Sequence, residues 1–436
     1  MQSNQQNNLN ISGYITKTVP FKYRGITLSF DLSQGLFSSA DIDAGTRLLL
    51  KVLSQVIDES AAPKTILDAG CGAGVIGICA GAALKAMGVA CTVRSQDRDE
   101  LARLFTAHNA RKNGIELQTF TEPLLAGSTN CRWDLILCNI PAKAGKPVLE
   151  DFVSRSAGLL NPGGKVIMVA VHTLADFFHE RIKLAGAELQ PEEKNSSYSV
   201  FVYSGSEQAD TTSQAAALTK ESGFFERYPF YRRNAVEYTF EDIPLFIETV
   251  HGAPDFDNPG GTTEAAAKLI LKIGAEKFTQ IKDKPILVHE PGQGFFPCWL
   301  REFLCLENAD MVLSGRNILA LVAARHNMEK AQTQSPIVFP AADLSGADDF
   351  IRASGGRFGI VAAFPDIIPQ SQLPKETDHL KDLWESVPAL LAEGGIFIAG
   401  FSSSNADRFD RLKPAGVFRL GDIKRKGFRA LGYVRG

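Results

Sequence analysis

The sequence predicts an α/β chain: open, mostly parallel sheets with helices on both faces, built twice in tandem. Three observations predict it. Strand-like and helix-like runs alternate from Thr65 onward. Turn chemistry stands at each joint. The same order of elements then recurs in the second half.

Each element follows from its pattern. Ile66–Gly70 (ILDAG) is a short buried strand entering a Gly-rich turn. Ala73–Met87 is a helix of small residues, ended by Gly88. Cys91–Asp97 is a second strand. Glu100–Lys112 is a helix with Leu101, Leu104 and Phe105 on its apolar face, closed by Gly114. Trp133–Asn139 (WDLILCN) is another buried strand. Val148–Leu160 is a helix, and Asn161–Gly164 (NPGG) a turn. Lys165–Val171 is a strand, Phe177–Ala185 a helix and Ser197–Tyr203 a closing strand.

The chain has 436 residues, 44% hydrophobic and 22% charged, with a net charge of -3. That length suits two domains of about 200 residues each. The chain as a whole is no polycation, so nucleic-acid contact would need local basic patches. There are 7 cysteines and no C-x-x-C. This usage points to reduced thiols in a cytoplasmic protein. No His/Cys group has metal-ligand spacing, so no metal is expected. No run is long and apolar enough for a membrane span.

Residues 205–223 hold few large apolar side chains and read as a linker between domains at 1–204 and 224–436. Beyond it PILVHEPGQG parallels TILDAGCG, FGIVAAFP parallels DLILCNIP and LLAEGGIFIAG parallels LLNPGGKVIMV. The offsets are 216 for Gly45 to Gly261, 218 for Asn109 to Asn327, 224 for Pro141 to Pro365 and 231 for Gly164 to Gly395. A slow drift means loop insertions between two copies of one fold.

The chemistry concentrates in the first copy. Asp68–Gly74 (DAGCGAG) leaves a strand and opens a helix, at the carboxyl end of the sheet where such folds bind ligands. Glycine lets the backbone turn tightly and approach a ligand. Asp68, two residues before the first Gly, would repel a pyrophosphate and suit a ligand with a cationic amino group. Asp97 ends the next strand, where a carboxylate can accept from both ribose hydroxyls. Glu122 follows a further strand, where an acid can accept an adenine amino group. Asn139-Ile140-Pro141 closes the WDLILCN strand.

In this order the residues resemble the class I S-adenosylmethionine-dependent methyltransferases, with Rossmann-like domains and mostly parallel seven-stranded sheets. They are similar to the "methyltransferase small" group, which includes bacterial ribosomal RNA guanine-N2 methyltransferases. Gly35–Leu53 (GLFSSADIDAGTRLLLKVL) carries the group's upstream segment, and the resemblance covers roughly residues 20–204. Some members hold two copies, one decayed. The decayed copy is expected first there; here it comes second.

The resemblance implies that Asp68, Gly70 and Gly72 hold the methionine part of S-adenosyl-L-methionine, with Cys71, Gly74 and Asn139 also at the cofactor. Asp97 would hold its ribose and Glu122 its adenine. Asn139 and the carbonyl of Ile140 would accept from the target amine, with Pro141 stiffening the loop. An exocyclic base amine is a poor nucleophile, so two positioned acceptors are what the reaction needs. The family's aromatic ring after the Pro is Ala142 here. Phe37, Phe21 or Tyr23 would have to stack on a base instead. Lys143 would meet phosphate.

The second copy serves as a control. It reads EPGQGFF at Glu290–Phe296, which sets Glu290 at the Asp68 position and two rings at Ala73 and Gly74. Gly315 stands at the Asp97 position and Ala363 at that of Asn139. A degenerate domain follows. ERYPFYRR (Glu226–Arg233) and IKRKGFRALGYVR (Ile423–Arg435) interleave basic and aromatic residues, as RNA contact requires. The expectation is therefore a cytoplasmic N-methyltransferase acting on ribosomal RNA or a ribosomal subunit. The alternatives are a methyltransferase of small molecules or protein side chains, and a non-catalytic RNA- or partner-binding protein.

Overall fold

The computed structural model describes residues 11–59, 62–128, 131–205, 223–281, 283–306, 310–330 and 335–436. The chain divides into two compact units, Tyr14–Tyr231 and Arg232–Gly436, the second also taking in the residues up to Gly13.

The first unit opens with a hairpin, β1 (Lys17–Tyr23) and β2 (Ile26–Leu32), turned at Gly25. There follow α1 (Ala44–Glu59), β3 (Thr65–Ala69), α2 (Val75–Ala86), β4 (Thr92–Asp97), α3 (Glu100–Lys112) and β5 (Gln118–Thr121). Then come β6 (Trp133–Asn139), α4 (Lys146–Ser156), β7 (Leu160–Val171) and α5 (Ala175–Leu184). Two short strands, β8 (Glu188–Leu189) and β9 (Glu193–Lys194), precede β10 (Tyr198–Ser204). A last helix is α6 (Phe224–Arg227). The sheet order is β5-β4-β3-β6-β7-β10-β8, with β9 also on β10, so it has 8 strands where seven were expected. The extra strand arises because the edge beside β10 is broken into two pieces. The strands from β5 to β7 are parallel, and β10 is antiparallel to β7.

The small residues of α2 have a packing cause. Val75–Leu84 are all buried. A Cβ on Gly81 would come 2.9 Å from Ile115, and one on Gly77 2.8 Å from the Asp68 carboxylate. Larger residues would push the helix off the sheet.

The second unit repeats the plan: β11 (Arg232–Phe240), β12 (Ile243–Val250), α7 (Gly261–Ile273), β13 (Ile286–His289), α8 (Phe295–Leu304), β14 (Met311–Gly315) and α9 (Ile318–Lys330). It continues with β15 (Ile337–Pro340), α10 (Ala347–Ser354), β16 (Phe358–Ala363), α11 (His379–Leu390), β17 (Leu391–Ser402), α12 (Ser403–Arg411), β18 (Val417–Arg425) and β19 (Phe428–Arg435). Its 7 strands run β15-β14-β13-β16-β17-β19-β18, the same topology as the first sheet.

The boundary differs from the sequence reading. Phe224–Tyr231 belongs to the first unit, because Phe225, Tyr228 and Tyr231 are buried there. The Arg155 guanidinium of α4 lies 4.9 Å from the Phe230 ring and 5.6 Å from that of Tyr228. Most of the expected linker, 206–222, lies outside the described residues.

Candidate active site

The Gly-rich turn between β3 and α2 is held from three sides. Gly70 and Cys71 donate to the Gln96 carbonyl at 2.8 and 3.1 Å. Gly72 N–H donates to Asp97 Oδ2 at 3.0 Å. Thr106 of α3 donates to the Gly72 carbonyl at 3.0 Å. Gly70, Gly72 and Gly74 all have positive φ, at 79, 55 and 84°. A Cβ on Gly74 would lie 2.9 Å from Thr106, so this glycine is required on both counts.

Asp68 is fully buried beneath this turn. Its Oδ2 accepts from Gly77 N–H at 2.9 Å, while its buried Oδ1 has no partner. Burial pushes its pKa up to about 7, the Gly77 bond opposing and the Asp97 charge adding to the rise. An orphaned buried carboxylate oxygen is costly unless something cationic meets it. Asp97 also accepts from Asp99 N–H at 3.0 Å, and burial with the Asp99 charge raises its pKa. Burial, with the Asp97 and Asp68 charges adding, pushes the Cys71 thiol pKa well up.

Glu122 lies just after β5 and pairs with Arg94 at 2.6 Å. The Arg94 guanidinium sits 3.7 Å from the Phe120 ring centroid. Burial raises the Glu122 pKa against the pull of Arg94. Gln96, fully buried, holds the turn after Glu122 through the carbonyls of Leu124 and Ala126.

Asn139 ends β6. Its amide nitrogen donates to Asp43 Oδ2 and to Thr46 Oγ1, both at 3.0 Å. A carboxylate can only accept, so the orientation of the amide is determined. Both N–H bonds are used inside the protein, which leaves Oδ1 as the end of the amide that Asp43 and Thr46 do not engage. Asp43 is itself fixed, accepting from Thr46 N–H at 3.1 Å and from Tyr198 hydroxyl at 3.0 Å. Gly45 is required here, since a Cβ would stand 2.8 Å from both Asp43 and Tyr198. Ile140 is buried and donates to the Val169 carbonyl at 3.0 Å. Pro141, Ala142 and Lys143 are exposed. Ala144 N–H closes the loop on the Pro141 carbonyl at 2.9 Å.

Of the three rings considered for stacking, only Phe37 is open, at 73% exposure. Tyr23 is buried in the core, and Phe21 is half-buried against Phe30 and Arg47. Sequence reading missed Asp43, Thr46, Gly77, Gln96 and Tyr198. Asp43 did lie in the quoted segment GLFSSADIDAGT, but its partner Asn139 is 96 residues away.

The second unit needs a corrected register. Ala69 pairs with Gln96 and His289 with Ser314, so Asp68 corresponds to Val288 and not to Glu290. Gly74 and Gly294 both cap the following helix. The two phenylalanines therefore enter the first turn of α8 and are buried in its core, clear of the turn itself. Strand pairing likewise puts Phe364, and not Ala363, at the Asn139 position. The error came from matching Glu to Asp by chemistry, where sheet register decides equivalence. Gly315 does stand at the Asp97 position. The Glu290 carboxylate fills the space, accepting from Arg316 N–H at 2.8 Å. Val288, Gly315 and Phe364 thus replace Asp68, Asp97 and Asn139 in this copy. The arginines of its C-terminal hairpin are engaged within the fold: Arg425 with Glu264, Arg429 with Asp422 and Arg435 with main-chain carbonyls.

With the geometry in place, the methyltransferase small domain matches residues 27–201. That match lies within the first unit. The chain is 33% identical over 148 residues to ribosomal RNA small subunit methyltransferase C of Hahella chejuensis, covering 33% of this chain and 40% of that one. It is 31% identical over 144 residues to ribosomal protein L11 methyltransferase of Syntrophotalea carbinolica, covering 32% and 43%. The protein YbxB of Bacillus subtilis is 29% identical over 175 residues, 38% of this chain and 83% of that protein. The chain thus spans less than half the length of the two named methyltransferases. Both units together share the fold of the T. thermophilus 16S rRNA N2 G1207 methyltransferase solved with AdoMet and guanosine. The TM-score is 0.60 and the identity 14%, over 98% of this chain and 99% of that one. Among the described residues no group could hold a metal ion, and no helix is long and apolar enough to cross a membrane.

Proposed function

We propose that the chain is an S-adenosylmethionine-dependent N-methyltransferase acting on an exocyclic amine of a base, guanine N2, in ribosomal RNA. The single observation that carries this reading is Asn139. Its amide is clamped by Asp43 and Thr46 so that a carbonyl oxygen is the group left for an incoming amine. Such an acceptor orients the amine and favours the geometry in which its lone pair can attack.

The residues also fit the cofactor. The partnerless Oδ1 of Asp68 suits its cationic amino group, and Asp97 at the strand end suits ribose hydroxyls. When bound, the cofactor supplies an electrophilic methyl group. Glu122 remains the proposed adenine acceptor, and Phe37 and Lys143 the proposed substrate contacts. The relatives' names support a ribosomal target, and an RNA substrate accords with a cytoplasmic enzyme. The test is incubation with radiolabelled cofactor and, in parallel, ribosomal subunits, total RNA and protein extract. Label in guanine N2 of ribosomal RNA is expected. Label confined to protein or to small molecules would sink the RNA assignment.

A further inference from the structure

The two copies differ in one connection. In the second unit the chain between β15 and β16 forms α10, which buries Phe350 and packs on α11. In the first unit the described residues between β5 and β6 form no helix. Their place is taken by a segment from beyond β10. Phe224–Tyr231 packs on α4, the counterpart of α11, with the Phe224 ring against those of Tyr228 and Tyr231.

This strap touches the cofactor side of the unit at a defined atom. Tyr228 is buried, and its hydroxyl accepts from Gly127 N–H at 3.2 Å. Gly127 directly backs Glu122: a Cβ there would collide with the Glu122 carboxylate. The same turn leans on the Gly-rich loop, where a Cβ on Gly70 would lie 3.8 Å from Leu124. Exposed Arg227 adds a positive charge that favours the ionised form of Glu122.

We propose that Phe224–Tyr231 is a working part of the cofactor cleft, in which Tyr228 and Arg227 position Glu122 and the Leu124–Gly127 turn for the adenine end of the ligand. The inference rests on the cofactor reading above. Tyr228 is a positioning residue, since it acts through Gly127 and Glu122. The strap runs directly into β11, so the chain that enters the second unit first completes the catalytic one.

The test uses the full chain with Tyr228→Phe and Arg227→Gln. Binding of S-adenosylhomocysteine is measured by calorimetry, and exchange of the Gly127 amide by hydrogen exchange. Loss of one hydrogen bond should weaken binding roughly three- to tenfold in Tyr228→Phe. The KM for S-adenosylmethionine should rise to match, with kcat at saturation unchanged and Gly127 exchange faster. Arg227→Gln, at an exposed position, should weaken binding in the same direction. Wild-type affinity in both variants overturns the proposal, whatever happens to Gly127 exchange. So does a fall in kcat at constant KM. A wild-type chain that binds no cofactor overturns the cofactor reading, and the strap's role with it.

Discussion

At the scale of single residues, the site is decided by what holds each functional group. The proposed role of Asn139 needs its amide to point one way, and Asp43 enforces that. Asp43→Asn presents Asn139 with an amide that can donate as well as accept, so either orientation becomes available. The expected result is a fall in kcat on the order of 10- to 100-fold with cofactor affinity retained, read in single-turnover assays. Asp68 adds a pH dependence. Its folded pKa of about 7 lies above that of an unfolded Asp. Between about pH 4 and 7 the folded state therefore holds a proton that the unfolded state has lost, so stability of the free protein declines as pH rises. Ligand binding has the opposite sign, because a cationic amino group needs the carboxylate ionised. Cofactor affinity should rise with pH, by up to about tenfold per unit, and level off above 7. Calorimetry from pH 5.5 to 8.5 checks this, and in Asp68→Asn the dependence should vanish.

At the scale of elements, the two units share a latch that sequence reading registered only as the matched pair Asn109 and Asn327. In the first, Asp31 of β2 takes His108 at 2.7 Å and Lys112 at 2.5 Å, while Asn109 bonds the Asp31 backbone. In the second, Glu248 of β12 takes His326 and Lys330, and Asn327 bonds the Glu248 backbone. The pattern His-Asn-x-x-Lys thus pins a hairpin to a helix in both copies. Asn109 and Asn327 also reach the turn below, at the carbonyls of Ala73 and Gln293. The second copy keeps this latch while Val288, Gly315 and Phe364 replace Asp68, Asp97 and Asn139, so the latch serves the fold. Burial works against ionisation of Asp31, but hydrogen bonds from Lys112, Thr18 and His108 outweigh it and lower its pKa. Its contribution is present above the ordinary Asp pKa and is lost as pH falls through the lower, folded value. Asp31→Asn should cost about 2 kcal/mol in urea unfolding at pH 7, and less at pH 3.

At the scale of the whole molecule, both units share one topology, and the groups proposed to bind ligand stand in the first alone. Val288, Gly315 and Phe364 stand where Asp68, Asp97 and Asn139 stand in the first unit. Calorimetry on the full chain should therefore give one cofactor site per chain. Asp97→Ala removes the proposed ribose acceptor and the Gly72 contact together. It should weaken that single site at least about tenfold, with no second site emerging. A stoichiometry of two would mean that the second cleft binds despite these replacements.

The sequence alone determined the duplicated α/β plan, the Gly-rich turn after β3 and the Asn-x-Pro loop. These are local: each is a short run whose apolar period, glycine spacing or strand-end position is visible without its neighbours. Only the tertiary structure decided which residues back them. Asp43 meets Asn139, Tyr228 meets Gly127, and the register that aligns Val288 with Asp68 exists only between paired strands. Such contacts join residues many tens of positions apart, and sheet packing, not any local pattern, brings them together.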